Sequence, residues 1–439
     1  MGAASVACQT LPPALALARG AALQGGAQLI PGTPSRPTPR LPACRTPPSP
    51  SETGGPGCSS LLAAFTENGP CLVPEKGADR GKAVFNPYAW NSNATVVWLD
   101  QPAGVGFSWG TENDKDEAGA AKDAYAFLQA FFKAHTALQA LPFFVVGESY
   151  GGHYTPALTY AVSQGNKVPG NLRINLKGVG VGNGLTVPLA QYPEYSTLAY
   201  NFTMEKLGKP VITLDVYKQM QAELKVCLPA IAACANDTAV CALAQSVCNN
   251  AQIGPYESTG LNPYDFRIPC EVPGLCYDES GVTAFFNEPA IQKALHVDSH
   301  ATTWQTCNYN VNGQFSSDWM KQFAEPYISS QLEEGTRVLV SAPCTSARAL
   351  ARLPLPLLTL PSLPPTHPPG PQIYAGDVDF ICNWLGNQAW TLGLEWSGKA
   401  GFNAAEFKDW AVGGASAGLA RTYGGLTFLR VFDAGHMVP

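Results

Sequence analysis

The five residues Gly147-Glu148-Ser149-Tyr150-Gly151 follow directly on Phe143-Phe144-Val145-Val146, an apolar run of strand length. A serine with glycine two residues away on either side can occupy a strained strand-to-helix turn that lifts its Oγ above a sheet. Such a serine is a candidate nucleophile for acyl transfer, provided a base and an orienting acid are near. The pentapeptide alone reads as an ordinary small-residue turn, and the strand before it is the context that makes it more. In elbows of this kind the acid and then the histidine follow the serine along the chain. His135 precedes Ser149, His153 lies four residues past it on the same expected helix, and His367 sits in a proline-rich stretch. Leu295-His296-Val297 reads as a buried or capping histidine, and His300 falls in a polar turn. His436 ends Asp433-Ala434-Gly435-His436, a loop that leaves the apolar run 427–432, which is where a triad base belongs. For the acid, Tyr374-Ala375-Gly376 opens into Asp377-Val378-Asp379, and spacing leaves both aspartates open.

The elements that must position these residues alternate. Residues 95–99 are β-branched and aromatic and read as a buried strand. From about Asp116 to Lys133, Ala120, Tyr125, Leu128, Phe131 and Phe132 recur at helical spacing. The apolar run 143–146, Val179-Gly180-Val181 and Arg337-Val338-Leu339 supply further strands, so the pattern is that of a mostly parallel α/β sheet. Residues 195–310 show little periodicity and hold most of the cysteines, as an inserted cap over the sheet would.

Two proline-rich stretches interrupt this order. Residues 27–53 carry prolines too densely for a helix or a central strand and are expected to be disordered, with Pro47–Glu52 standing where a strand should feed Gly54. Residues 341–372 hold nine prolines, and removing 340–372 would join Arg337-Val338-Leu339 to Ile373-Tyr374-Ala375 as one buried strand. The valine and glutamine at its ends suit the borders of a retained intron.

The 439 residues, 46% hydrophobic and 14% charged, can bury a large core, and one domain spanning 54–439 is expected. A net charge of -6 and a pI near 5.6 recommend neither nucleic acid nor an anionic membrane surface, and no apolar run is long enough to span a bilayer. Cys227, Cys234, Cys241, Cys248, Cys270 and Cys276 lie close together, and sequons begin at Asn93, Asn201 and Asn236. Both features suit a disulfide-bonded glycoprotein of an oxidising compartment, the vacuole or lysosome or the secreted space. Met1–Gly26 has no basic start and no continuous apolar core, so it does not read as a signal peptide. The sequence does not fix an oligomeric state.

Five ordered blocks carry a resemblance: Gly54-Gly55-Pro56-Gly57-Cys58-Ser59-Ser60, Asp100–Ser108, Gly147–Tyr154, Tyr374–Asn387 and Gly435–Pro439. Together they resemble the serine carboxypeptidases of the α/β-hydrolase superfamily. The resemblance implies that fold: a central, mostly parallel sheet with helices on both faces and a disulfide-rich cap insertion. It places the nucleophile on Ser149, the acid on Asp379 and the base on His436, with the oxyanion held by the backbone N–H groups of Gly55 and Tyr150. The substrate's C-terminal carboxylate would be met by Thr53, Gly54, Glu67 and Glu148, the two glutamates sharing a proton. Many members have asparagine where Thr53 stands, and a hydroxyl still donates one hydrogen bond. Leu185, Tyr192, Tyr195, Trp319, Ile381 and Cys382 would line the substrate pocket, although each taken singly reads as plain core.

The implied disulfides are Cys58–Cys307, Cys227–Cys248, Cys234–Cys241 and Cys270–Cys276, with Cys382 a free thiol. Cys8, Cys44, Cys71 and Cys344 have no partner in the family pattern. The implied activity is release of C-terminal amino acids from peptides or proteins with a free C-terminus, with neither metal nor cofactor. Two other readings stand beside it. One is a carboxypeptidase-like acyltransferase, which uses the same triad on a sugar ester. The other is an inactive or misfolded product of an aberrant transcript, suggested by the two proline-rich stretches and by the ending at Pro439 ahead of a closing helix.

Overall fold

The computed structural model describes residues 27–29, 49–52, 54–92, 94–111, 114–336 and 372–437. Nine strands form its main sheet: β1 (Ala27–Leu29), β2 (Ser49–Glu52), β3 (Val96–Leu99), β4 (Phe143–Glu148), β5 (Leu176–Gly182), β6 (Gln372–Gly376), β7 (Lys408–Val412), β8 (Ala415–Tyr423) and β9 (Leu426–Val431). Their spatial order is β1-β3-β2-β4-β5-β6-β9-β8-β7. The pairings from β3 through β9 in this order are parallel, and β1 at one edge and β8 and β7 at the other pair antiparallel.

The sheet is covered on both faces, as period-2 alternation along a buried strand requires. On β3, Val96 and Trp98 pack with Leu61, Phe65 and Phe286, whereas Val97 and Leu99 pack with Leu128, Phe132 and Val145. The helix α1 (Ser60–Thr66) covers the first face. The second is covered by α2 (Glu117–Ala134) and α3 (Gly151–Gly165). Asp116 caps α2, its side chain accepting from the Gly119 N–H at 2.9 Å, so the helix starts where its apolar spacing begins.

The disorder expected across 27–53 is corrected at two places. Ala27–Leu29 pairs with β3, and Ser49–Glu52 lies in the interior of the sheet between β3 and β4. A ladder is made by the backbone, so it tolerates a strand without apolar side chains. Pro50 is registered only against Val97 of β3, while Ser51 and Glu52 register with Val146 and Gly147 of β4. The segment Arg337-Val338-Leu339 and most of 340–372 lie outside the described residues. The strand that leads to Asp379 is β6, Gln372–Gly376, held in parallel between β5 and β9.

Between β5 and β6 the chain builds a helical layer that includes α4 (Thr203–Leu207), α5 (Leu214–Cys234) and α6 (Cys241–Gln252). The order missed in the sequence is carried by the cysteines. Cys227 and Cys234 are seven residues apart on the buried face of α5, Cys241 and Cys248 seven apart on α6, and the disulfides Cys227–Cys248 and Cys234–Cys241 zip the two helices antiparallel. Cys58–Cys307 and Cys270–Cys276 are also formed, Cys71 is disulfide-bonded too, and Cys382 is free. Asn201 and Asn236 are exposed, and Asn93 lies outside the described residues. Among the described residues no helix is long and apolar enough to cross a membrane.

Candidate active site

Ser149 stands between the end of β4 and the start of α3 with φ of 60°. A serine in that left-handed region is strained, and its neighbours hold it there. Its N–H donates to the Gly182 carbonyl at 3.1 Å, and its carbonyl accepts from the Leu185 N–H at 2.9 Å. Glycine is needed on the facing chain. A Cβ on Gly54 would lie 2.3 Å from the Tyr150 nitrogen and 2.6 Å from the Ser149 Cβ. This close approach sets the backbone of residues 54 and 55 beside the elbow, and among the described residues neither the Gly55 nor the Tyr150 N–H has a hydrogen-bond acceptor. Two free donors beside a nucleophile can hold an oxyanion.

The imidazole of His436 lies where β9 runs out, and its Nδ1 is 2.9 Å from Asp379 Oδ2. Asp379 is fully buried, and its carboxylate also accepts from Asn183 Nδ2 at 2.6 Å and from the N–H groups of Ile381 and Cys382. Those donors hold its carboxylate in a fixed orientation. His436 Nε2 has no partner among the described residues, and the ring edge packs against Tyr264 at 5.0 Å. The choice left open by spacing is resolved by geometry, because Asp377 turns away from His436 to Lys206 and Arg430, each at 3.1 Å. The close passage of the two loops requires Gly376, where a Cβ would meet the Gly435 carbonyl oxygen at 2.1 Å.

Ser149 and His436 line one cavity of about 260 Å³ with Gly54, Gly55, Glu67 and Glu148. Burial raises the Glu67 carboxyl well above the usual carboxylate range, and one of its oxygens has no partner among the described residues. Glu148 is raised first by burial and then by the Glu67 and Asp379 carboxylates. Two such carboxyls are held protonated where an ionised pair would be repulsive, so they can donate to an incoming carboxylate. Thr53 lies outside the described residues. Of the six expected pocket residues, Trp319 lines the cavity, while Leu185, Tyr192, Tyr195, Ile381 and Cys382 pack in the apolar cluster beside it. The tyrosine hydroxyls are tied down, Tyr192 to Asn249 Oδ1 and Tyr195 to the Ile381 carbonyl, both at 2.6 Å. Burial, with Asp379 and Glu148 nearby, raises the Cys382 thiol, and a hydrogen bond with Ser149 opposes the rise.

Of the other histidines, His296 is exposed, with φ of 55°, and His367 lies outside the described residues. His153 is fully buried, its Nδ1 2.5 Å from the Leu185 carbonyl, and burial pushes it down to about 3, so it is a neutral core side chain. His300 is exposed beside Asp298. Asn183, the donor to Asp379, is a residue that sequence reasoning misses. It follows the strand β5 with φ of 41° and accepts from the Gly376 N–H at 3.1 Å, so it joins the ends of β5 and β6. The glycines around it in Gly180-Val181-Gly182-Asn183-Gly184 are the available signal, a backbone crowded by neighbours. Among the described residues no group of three or more His, Cys, Asp or Glu could hold a metal ion.

The chain matches the serine carboxypeptidase family model over residues 53–342 and 371–439. Carboxypeptidase Y of Komagataella phaffii is 40% identical to it over 392 residues, 88% of this chain and 66% of the relative. Carboxypeptidase Y of Candida albicans is also 40% identical over 392 residues, 88% of this chain and 64% of the relative. The chain thus spans about two thirds of the length of these curated relatives. The crystal structure of Kex1(delta)p, a prohormone-processing carboxypeptidase from Saccharomyces cerevisiae, superposes with a TM-score of 0.72 at 24% identity, covering 94% of this chain and 87% of that one, and so shares its α/β-hydrolase fold. With a family match across both sides of the 343–370 gap, and the elbow, the acid and the histidine inside it, the chain is a member of the serine carboxypeptidase family.

Proposed function

We propose that the protein is a serine carboxypeptidase that releases C-terminal amino acids through an acyl-enzyme on Ser149. One observation carries the reading: the Asp379–His436 pair and Ser149 meet at a cavity that also holds two buried, protonated carboxyls. His436 Nε2 takes the Ser149 hydroxyl proton as Oγ attacks the last peptide carbonyl. The oxyanion is held by the Gly55 and Tyr150 N–H groups. His436 then gives its proton to the departing amine, the C–N bond breaks, and the free amino acid leaves. Water, deprotonated by the same imidazole, cleaves the ester and restores Ser149. Asp379 holds the imidazole in its tautomer and stabilises the imidazolium. Gly54, Thr53, Glu67 and Glu148 receive the substrate carboxylate, and the carboxyl pair favours the peptidase over the acyltransferase. The side chain before the scissile bond faces the apolar cluster of Leu185, Tyr192, Tyr195, Trp319 and Ile381, with Cys382 beside the leaving residue.

This reading takes 54–439 as one hydrolase domain, with 195–310 as its cap and 340–372 as an inserted segment. The disulfides and the exposed Asn201 and Asn236 support a place in the endomembrane system, in the vacuole or lysosome or secreted. The test is covalent labelling. A fluorophosphonate is expected to label the protein once per chain, at Ser149, and the labelled protein to stop releasing residues from a peptide with an apolar penultimate side chain. Undiminished labelling of Ser149→Ala would overturn the assignment.

A further inference from the structure

We propose that Asp377 is a positioning residue, whose carboxylate sets the distance between the Asp379 loop and the His436 loop after the sheet has ended; the proposal rests on the triad reading above. The parallel ladder between β6 and β9 runs from Gln372↔Thr427 to Gly376↔Val431 and stops there. The two loops that carry the acid and the base begin at that point. Two backbone bonds continue a little further, Asp377 N–H to the Val431 carbonyl at 2.9 Å and Val378 N–H to the Ala434 carbonyl at 3.0 Å. Beyond them the side chain of Asp377 takes over.

Its carboxylate is fully buried and collects three donors from three segments. Oδ1 accepts from the Asp433 N–H at 2.8 Å, which fixes the turn three residues before His436. Asp433 takes φ of 56° in that turn, an orientation that an unrestrained aspartate adopts only part of the time. Oδ2 accepts from Arg430 Nη2, on β9, and from Lys206 Nζ, on α4 of the helical layer. Lys206 bridges onward to Asp433 Oδ1 at 2.8 Å, and the Arg430 guanidinium lies 4.0 Å over the Trp384 ring at the start of α7 (Trp384–Gly393). The clamp therefore ties the acid's loop, the base's loop and the helical layer to one buried point. Asp377 is two residues from Asp379 and Asp433 three from His436, so a shift at the clamp is carried straight to the 2.9 Å contact between acid and base.

Asparagine at 377 keeps the size, but its one carbonyl oxygen cannot serve three donors, and it removes the buried charge that Arg430 and Lys206 share, leaving Lys206 only Asp433. In the full chain, Asp377→Asn is expected to lower kcat by about tenfold or more while KM stays within about twofold, because the cavity that binds substrate is untouched. The fluorophosphonate labelling rate should fall in step, with the labelled fraction at completion unchanged. Lys206→Met should move kcat the same way by a smaller factor, and Lys206→Arg, which keeps a cation in place, should restore it. Val162→Ala, a core truncation in α3 away from the clamp, controls for stability and should leave kcat alone. If Asp377→Asn does not fold, the Lys206 pair decides. A kcat within about twofold of the parent in Asp377→Asn, or equal kcat in Lys206→Met and Lys206→Arg, would overturn the proposal. Labelling that survives in Ser149→Ala would instead overturn the triad reading beneath it.

Discussion

At the elbow, Ser149 is placed by backbone: a strand, a left-handed residue, two carbonyl–amide bonds and a glycine that lets residues 54–55 approach. At the opposite corner, the Asp379 and His436 loops keep backbone bonds of their own, but side chains of Asn183, Asp377, Lys206 and Arg430, drawn from parts of the chain far apart in sequence, join the elements that carry them. The difference predicts how each responds to change. A backbone-made site should fail abruptly when sterics are violated, and a site made by side chains should lose rate in graded steps.

The sharpest test of that contrast is Gly54→Ala. The added Cβ cannot be placed without pushing Tyr150 and Ser149 away, so kcat/KM is expected to fall by about 10²–10³-fold as the oxyanion donors separate. Steady-state hydrolysis of an ester substrate would show it, and a loss below about tenfold would mean the elbow has slack. Asn183→Ala is the matching probe at the corner. It removes one of the three donors that the Asp379 carboxylate has besides His436, and kcat is expected to fall by about tenfold, with partial recovery in Asn183→Ser. An abrupt loss as large as that of Gly54→Ala would erase the distinction.

The smallest expected effect concerns acidity. Glu67 and Glu148 titrate well above ordinary carboxylates, and only the protonated pair can donate to a substrate carboxylate. As pH rises through that raised range the pair loses its proton and repels the substrate, so KM for a free-acid peptide should increase several-fold. A C-terminally amidated peptide lacks the charge and should show no such rise; parallel KM profiles for the two would refute the carboxyl-pair assignment.

The same contrast explains what can be read from sequence. Ser149 is legible because its signal is local, a strand and two glycines within a few residues. His436 is legible from its place after an apolar strand. Spacing alone does not choose the acid, because Asp377 and Asp379 share one strand exit; the family resemblance points to Asp379, and in the structure Asn183 and the Lys206–Arg430 pair, distant in sequence, set the two carboxylates apart. Strand β2 is hidden for a different reason. Its pairing is a backbone ladder, and Ser49-Pro50-Ser51-Glu52 offers no hydrophobic pattern to find. The helical layer is hidden because its order lies in cysteines seven residues apart, while the rest of α5 and α6 is mixed in polarity.

The disulfide between Cys58 and Cys307 closes a span of 249 residues, and Ser149 lies inside it, whereas Asp379 and His436 lie beyond it. A protease that cut once in the stretch after Cys248 and before Cys270 would leave the serine on one fragment and its acid and base on the other. The bond would hold the fragments together as a two-chain molecule, with its catalytic groups divided between the chains until a reductant freed them.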